Sequence, residues 1–487
     1  MSSTPPLSSL GIGSGLNSES MISALLSVEH RPIDILATEQ TTMKTQVSSV
    51  GKLMSLTSAM RDAAQALTSS TLWQTKSFNS SDTSVITGSV ATGGASGNYN
   101  ISVQALASAQ TITSSAFASP SSTLNEGKLT IQLGSWSGSS FTAKDGSSAV
   151  DIDITGDTSL SAIRDKINAA GAGVTASIVN DANGARLSIR STETGQQNGF
   201  KITASETTDD GDPTTGLSAL AYDPSQPTLT SAMSLNKAAA NAQATINGIQ
   251  VESATNTFDN VADGLTFTVG KVISDEVAVT VGDDTASMET AVKSFVTAFN
   301  SLASYIKDQT KYVPSTTKGQ QGTGGPLQGD RTTVGLLNQL RGIINTTSSA
   351  SSSYQHLSDL GITMGTDGTL SVSTSKLETA LANPSEVAKA LATDGSDAGS
   401  SGFMDRFRDL GNQVTDSTNG SLTLRQNALN DAINHNQARQ DQLTDRLSSY
   451  EARLRAQYQA LDTQMASLTA LNTYVNQQMS ALIKSSG

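Results

Sequence analysis

A seven-residue ladder near the end of the chain constrains its fold more than any other feature. Ile433, Leu447, Leu454, Leu461, Leu468, Val475 and Leu482 recur at multiples of seven, and only Gln440 interrupts them. Leu429, Leu443, Tyr450 and Leu471 follow ladder positions by three residues; Tyr458, Met465 and Met479 follow by four. Gln, Asn, Arg and Asp fill the remaining positions. This pattern requires one long helix whose apolar stripe is covered by another helix, with a polar exterior. The plain alternative is a bundle helix packed only on its own chain. A ladder sustained over so many heptads also suits contact between copies.

The start of the chain carries a matching pattern. Asn17 is placed to cap a helix, and Glu19 suits the positive end of its dipole. Met21, Ile22, Leu25 and Leu26 form one apolar stripe. Pro32 is expected at the first turn of a second helix. Met43, Val47, Val50 and Met54 follow at 4-3-4 spacing, then Leu53, Leu56, Met60, Ala63 and Leu67 at 3-4-3-4. The two sets are offset by one residue, which predicts a register adjustment in a coiled coil.

Between these ends the texture is that of short strands. Ser84–Val90, Tyr99–Val103, Lys128–Leu133, Gly173–Val179, Ala185–Ser191, Gln243–Val251, Leu265–Val269 and Glu276–Val281 are β-type runs between Gly, Asn, Asp and Ser clusters. One helix is expected inside this region, over Leu160–Ala169. From Thr285 helical spacing returns with Val292, Phe295, Val296, Phe299, Leu302 and Ile306. Residues 314–330 read as a flexible loop. A short helix follows over Val334–Ile344, then a hairpin over Ile362–Val372 around Asp367-Gly368. Leu377–Leu391 is helical around a break at Pro384.

Helical ends can pair only if the middle leaves and returns on one side. The expected class is therefore α+β: a helical coiled-coil stalk formed by both chain termini, with nested β-rich head domains inserted between them. The expected divisions are terminal leg helices at 1–40 and 441–487 (flexible alone) and a stalk at 41–75 and 285–440. A β-rich head follows at 76–115 and 236–284, and an outer, variable β-rich domain at 116–235.

Composition excludes several chemistries. The 487 residues carry 30 Lys+Arg against 43 Asp+Glu, a net charge of −13, which disfavours nucleic acid because phosphate contacts need clustered cations. The absence of Cys removes disulfides, thiolate metal sites and thiol catalysis. Three scattered histidines, His30, His356 and His435, leave little for a metal site or a Ser–His triad. No apolar run reaches the length of a membrane span, and the first residues lack the form of a Sec signal peptide. With the extracellular character of the composition, this points to export by a route that reads no Sec signal.

Motifs for chemistry are absent or incomplete. Gly11-Ile12-Gly13-Ser14-Gly15-Leu16 lacks the third Gly of a dinucleotide loop and follows no strand. The Gly-rich stretch at 319–329 lacks the Lys of a P-loop, and no nucleophile elbow is present. A calcium loop starting at Asp151 and Asp153 would need Glu where Ala162 stands, so these acids read as an exposed strand face. Asp209, Asp210 and Asp212 read as a solvated loop, and Trp73 and Trp136 as packing residues. No catalytic residue, cofactor or metal is expected, and the chain reads as a non-enzyme.

These residues together resemble the bacterial flagellar filament-capping (flagellar hook-associated protein 2) family. Leu10–Asn17 is similar to that family's N-terminal signature, which more often has Asp where Asn17 stands. Glu29-His30-Arg31-Pro32-Ile33 is similar to its E-x-x-P-[IL] segment. The stretch Asp157–Gly199 resembles the repeat shared by flagellins and hook-associated proteins. Ile246-Asn247-Gly248, through Asn256-Thr257, to Gly264–Phe267 resembles a further β segment. Leu360-Gly361-Ile362 with Asp367–Leu370 and Asn383-Pro384 resembles the C-terminal region.

The resemblance implies a non-enzymatic structural protein, exported through the flagellar type III channel and working outside the cell at the flagellum tip. It implies a ring homo-oligomer, for which five copies would suit the filament, that promotes flagellin polymerisation and prevents leakage of exported monomers. Implied partners are flagellin, hook–filament junction proteins and an export chaperone at the C-terminal helix, with no nucleic acid or membrane. The leader Gly11, Ile12, Gly13, Ser14, Gly15 and Leu16 becomes a candidate filament contact. Met43, Val47, Val50 and Met54, with Leu447, Leu454, Leu461, Leu468, Val475 and Leu482, become candidate coiled-coil positions. An alternative function is a surface adhesin whose central β domains bind host glycans or mucin.

Overall fold

The computed structural model describes residues 17–226, 232–317, 319–320 and 322–485. They form two compact units, one from both ends of the chain and one from Thr71–Asp284.

The first unit is helical. Its opening helix, Ser18–Thr68, is a single element of 51 residues, capped by the Asn17 carbonyl oxygen of the side chain, which accepts from Ser20 N at 3.1 Å. Pro32 lies inside this helix instead of opening a second one. Its missing N–H costs an intrahelical bond, a penalty of about 3 kcal/mol. Pro32 is exposed, and the helix runs through it with Ile33 and Leu36 half-buried beyond it. The one-residue offset between the two expected sets persists, since Val47, Val50 and Met54 pack together in one small core while the buried run continues from Leu53. Val50, Leu53, Thr57, Met60, Ala64 and Leu67 are all buried and form one uninterrupted 3-4 seam. Thr57 and Ala64 carry that seam although neither is strongly apolar; the Thr57 hydroxyl donates to the Leu53 carbonyl at 2.8 Å and so enters the core satisfied.

Against this seam pack the helices Thr285–Thr310 and Phe403–Thr415. Phe295, Phe299 and Phe407 meet there, with ring centroids 5.0 Å apart for Phe295–Phe407 and 6.0 Å for Phe299–Phe407. The helix Phe403–Thr415 has no counterpart among the sequence expectations. The smaller helices lie close to where spacing places them: Arg331–Asn345, then Thr374–Leu381 and Pro384–Ala392 on either side of the break before Pro384. The hairpin Ile362–Met364 with Leu370–Val372 turns through Gly368 at φ +85°. The last helix, Ser421–Ser485, has 65 residues.

The second unit holds two β cores. The first joins a five-stranded sheet (Lys76–Ser80, Ile273–Asp283, Gly97–Ala105, Ala242–Ile246, Ile249–Ser253, in spatial order) to a three-stranded one (Thr257–Ala262, Leu265–Val269, Ile86–Val90). Phe258 and Phe267 stack at 4.8 Å inside it. The run 243–251, expected as one strand, is instead a hairpin. Asn247 at φ +50° and Gly248 at φ +82° make the turn, a pair suited to left-handed backbone.

The second core lies between two four-stranded sheets and the helix Leu160–Ala169, whose Leu160, Ile163 and Ile167 are fully buried. Asn168 fastens that helix by exchanging hydrogen bonds with both backbone groups of Ala176, at 2.9 and 2.7 Å. The strand Gly199–Glu206, which pairs along its length with Gly127–Ser137, was not anticipated from its sequence. The unit closes where it opened. Lys76 pairs with Asp283 in register, their side chains meet at 2.6 Å, and Asp284 N donates to the Thr75 carbonyl at 3.0 Å.

Candidate functional site: the paired terminal helices

Within the first unit the opening and last helices run side by side and antiparallel. Two contacts fix the register. Gln40 Nε2 donates to Gln437 Oε1 at 2.8 Å, and Arg455 donates twice to the Glu19 carboxylate, at 2.7 and 2.9 Å. Arg455 also bonds Glu451 at 2.8 Å. The hydrogen bonds from Arg455 hold the Glu19 carboxyl below its usual range, and the two carboxylates push the guanidinium upward. Near the other end of the pair, Asp330 caps the helix Arg331–Asn345 by accepting from Thr333 N at 2.9 Å. It also accepts from Arg425 Nε at 2.7 Å, tying in the start of the last helix.

The seam between the helices is thin. Val50, Leu429 and Leu454 are buried, whereas Met43, Val47, Met54 and Leu447 are half-buried. Val50 and Leu429 share a small core with Leu327, against which Val47 and Met54 pack. At the break in the ladder the seam is polar: Asn436 is buried and accepts from Gln440 Nε2 at 2.6 Å. Past Tyr458 the ladder continues beyond the reach of the opening helix's described residues. Leu461, Leu468, Val475 and Leu482 are exposed there, the last at 63%. The leader residues Gly11, Ile12, Gly13, Ser14, Gly15 and Leu16 lie outside the described residues.

Among the described residues one group of carboxylates, Glu206, Asp209 and Asp210, lies close enough together to share a cation. Asp209 and Asp210 are exposed, and Glu206 is engaged by Asn125 at 2.5 Å and Ser218 N at 2.7 Å. Asp151 sits on an exposed strand face, bonded to Thr130 and Lys128. Trp73 is buried, and Trp136 is half-buried with its Nε1 donating to the Phe200 carbonyl at 3.1 Å. No described helix is long and apolar enough to cross a membrane.

Residues 14–110 match the family described as flagellar hook-associated protein 2 N-terminus, residues 239–470 the C-terminus of the same protein, and residues 140–193 the flagellin hook IN motif. Flagellar hook-associated protein 2 of Escherichia coli K12 is 32% identical over 483 residues, covering 97% of this chain and 98% of its own. The chain belongs to the flagellar hook-associated protein 2 family. The B-type hook-associated protein 2 of Pseudomonas aeruginosa is 30% identical over 489 residues, with 98% of each chain covered. The crystal structure of the Escherichia coli flagellar cap protein FliD, domains D1-D2-D3, superposes with a TM-score of 0.59 at 32% identity, covering 78% of this chain and 99% of that one. This chain shares with that structure a mixed architecture of helices and β-rich domains. Spacing alone had not revealed the Glu19–Arg455 clamp. A signal was present, because an acid in a helix's first turn and an arginine on the facing helix are natural partners once the pairing register is known.

Proposed function

We propose that this chain caps the distal end of the bacterial flagellar filament, promoting flagellin polymerisation and preventing loss of exported monomers. The observation that carries the reading is the paired ends themselves: a thin seam with a polar layer at Asn436 and Gln440, continued by an exposed ladder from Leu461 to Leu482. Contacts of this kind are weak and exchangeable, as a cap needs if each incoming subunit is to displace one of them. The leader and ladder residues are the proposed filament contacts, with 1–40 and 441–487 as legs, 41–75 and 285–440 as stalk, and the β domains as the plate. The chain works as a ring homo-oligomer, five copies suiting the filament. It reaches the extracellular tip unfolded through the type III channel, escorted by a chaperone on its C-terminal helix, and passes the hook–filament junction proteins. Freedom from Cys suits such threading. The adhesin alternative gains no support from the relatives.

Removing the protein from its host tests the proposal. Monomeric flagellin should accumulate in the medium, with hooks but few filaments. Normal filaments would defeat the reading.

A further inference from the structure

The opening helix divides what its sequence reads as one apolar stripe: Ile22 and Leu26 face the seam, and Met21 and Leu25 begin a second stripe that no described part of the chain covers. Met21, Leu25, Val28, Pro32 and Ile35 follow one another at 4-3-4-3 spacing. Met21 is 46% exposed, Leu25 42%, Val28 58% and Ile35 59%. At 3.6 residues per turn this stripe lies about 100° around the helix from the seam formed by Ile22, Leu26, Ile33, Leu36 and Gln40. A helix with two adjacent stripes is built for two neighbours, and the last helix supplies only one of them.

A row of cations runs along the facing helix. Arg439, Arg446 and Arg453 recur every seven residues, so they stack on one face about 10 Å apart. All three are exposed, and none makes an ion pair among the described residues, although the protein as a whole is strongly acidic. Arg453 rests over the Tyr450 ring at 5.9 Å. No Asp or Glu stands three or four residues from any of the three, so the last helix does not neutralise them itself.

The clamp decides which flanks share a side. Glu19 and Arg455 lie on the same hand of their respective seams, and they are bonded to one another. The opposite flanks must therefore also adjoin, which places the apolar stripe beside the arginine row. The two ends of the register, Gln40 with Gln437 and Glu19 with Arg455, set residues 21–35 alongside residues 439–453.

We propose that this flank of the helix pair docks an amphipathic helix carrying an apolar 3-4 ladder and a row of carboxylates along one edge. The ladder covers Met21, Leu25, Val28 and Ile35, and the carboxylates pair with Arg439, Arg446 and Arg453. Charge complementarity selects the partner: a helix with a basic edge meets three like charges, and an uncharged one leaves them unpaired. The inference deepens the cap reading by naming the chemistry of a partner for the legs. It rests on that reading only for where the partner is met.

The test uses the full-length chain and two synthetic three-heptad peptides with the same leucine ladder, one edged with Glu and its twin with Lys. Fluorescence anisotropy at low salt should show the Glu peptide bound at least tenfold more tightly, with the difference shrinking as salt is added. Combining Arg439→Gln, Arg446→Gln and Arg453→Gln should erase the discrimination, and Val28→Asp should abolish binding of both peptides. These side chains are exposed, so helix content by circular dichroism should not change. Equal binding of the twins, no binding of either, or wild-type binding by Val28→Asp overturns the proposal. If the peptides behave as expected while a strain lacking the protein still grows normal filaments, the docking surface stands and the cap reading falls. If that strain leaks flagellin while the twins bind alike, the reverse holds.

Discussion

Arg455 shows how much one side chain can organise in a thin interface. It holds Glu19 and Glu451 together and so anchors the first turn of the opening helix. Because Glu19 titrates below its usual range when paired, the contact is intact above the ordinary glutamate range and is lost as pH falls through the lowered value. The chain has no Cys, so spin labels at Ser20→Cys and Gln457→Cys report this pair alone. Their distance distribution should be narrow at neutral pH and broaden only once the pH has fallen below the ordinary glutamate range. Arg455→Ala should give the broad distribution at every pH. A second residue-scale case is Gly184, at φ +133°, where an added β-carbon would overlap the Phe117 carbonyl oxygen. Gly184→Ala should destabilise the second unit by roughly 1–3 kcal/mol, read from chemical denaturation, and leave the first unit unchanged.

At the scale of elements, identical heptad positions differ in consequence along the last helix. Leu454 is buried against the opening helix, whereas Leu468 is 59% exposed. Leu454→Ala should cost about 2–4 kcal/mol, and Leu468→Ala should stay within about 0.5 kcal/mol of wild type in thermal or denaturant melts. Leu468 should instead matter in filament growth, where the proposed contacts form. The Phe295–Phe299–Phe407 cluster is the opposite extreme: Phe299 is fully buried among rings from two helices. Phe299→Ala should cost about 3–5 kcal/mol and lower the melting temperature of the helical unit.

For the whole molecule, the chain enters and leaves the β-rich unit through neighbouring strands, since Lys76 pairs with Asp283. Such an insert carries its own cores and closes on itself. Residues 71–284 expressed alone should therefore fold, with a melting transition matching that of the same unit in the full chain. A molten or aggregated fragment would show that the helical ends are needed to fold it.

The sequence by itself determined the long helices, the single helix Leu160–Ala169 and the class of the fold, because 3-4 and seven-residue spacings are local signals that survive any packing. Pro32 misled, since it invites a break that the helix does not make. The hairpin at Asn247-Gly248 was hidden because apolar runs on both sides of the turn read as one strand, although the Asn-Gly pair itself is a turn signal. Only the tertiary structure decided which ladder residues are covered. Leu454 and Leu468 carry the same side chain at the same heptad position; the end of the opening helix lies between them in space, and no spacing rule encodes where a partner stops. The same is true of the flank to which the register assigns both Val28 and Arg446. Each stripe is written in its own helix, but their shared side follows from an antiparallel register that a clamp between residues 19 and 455 fixes.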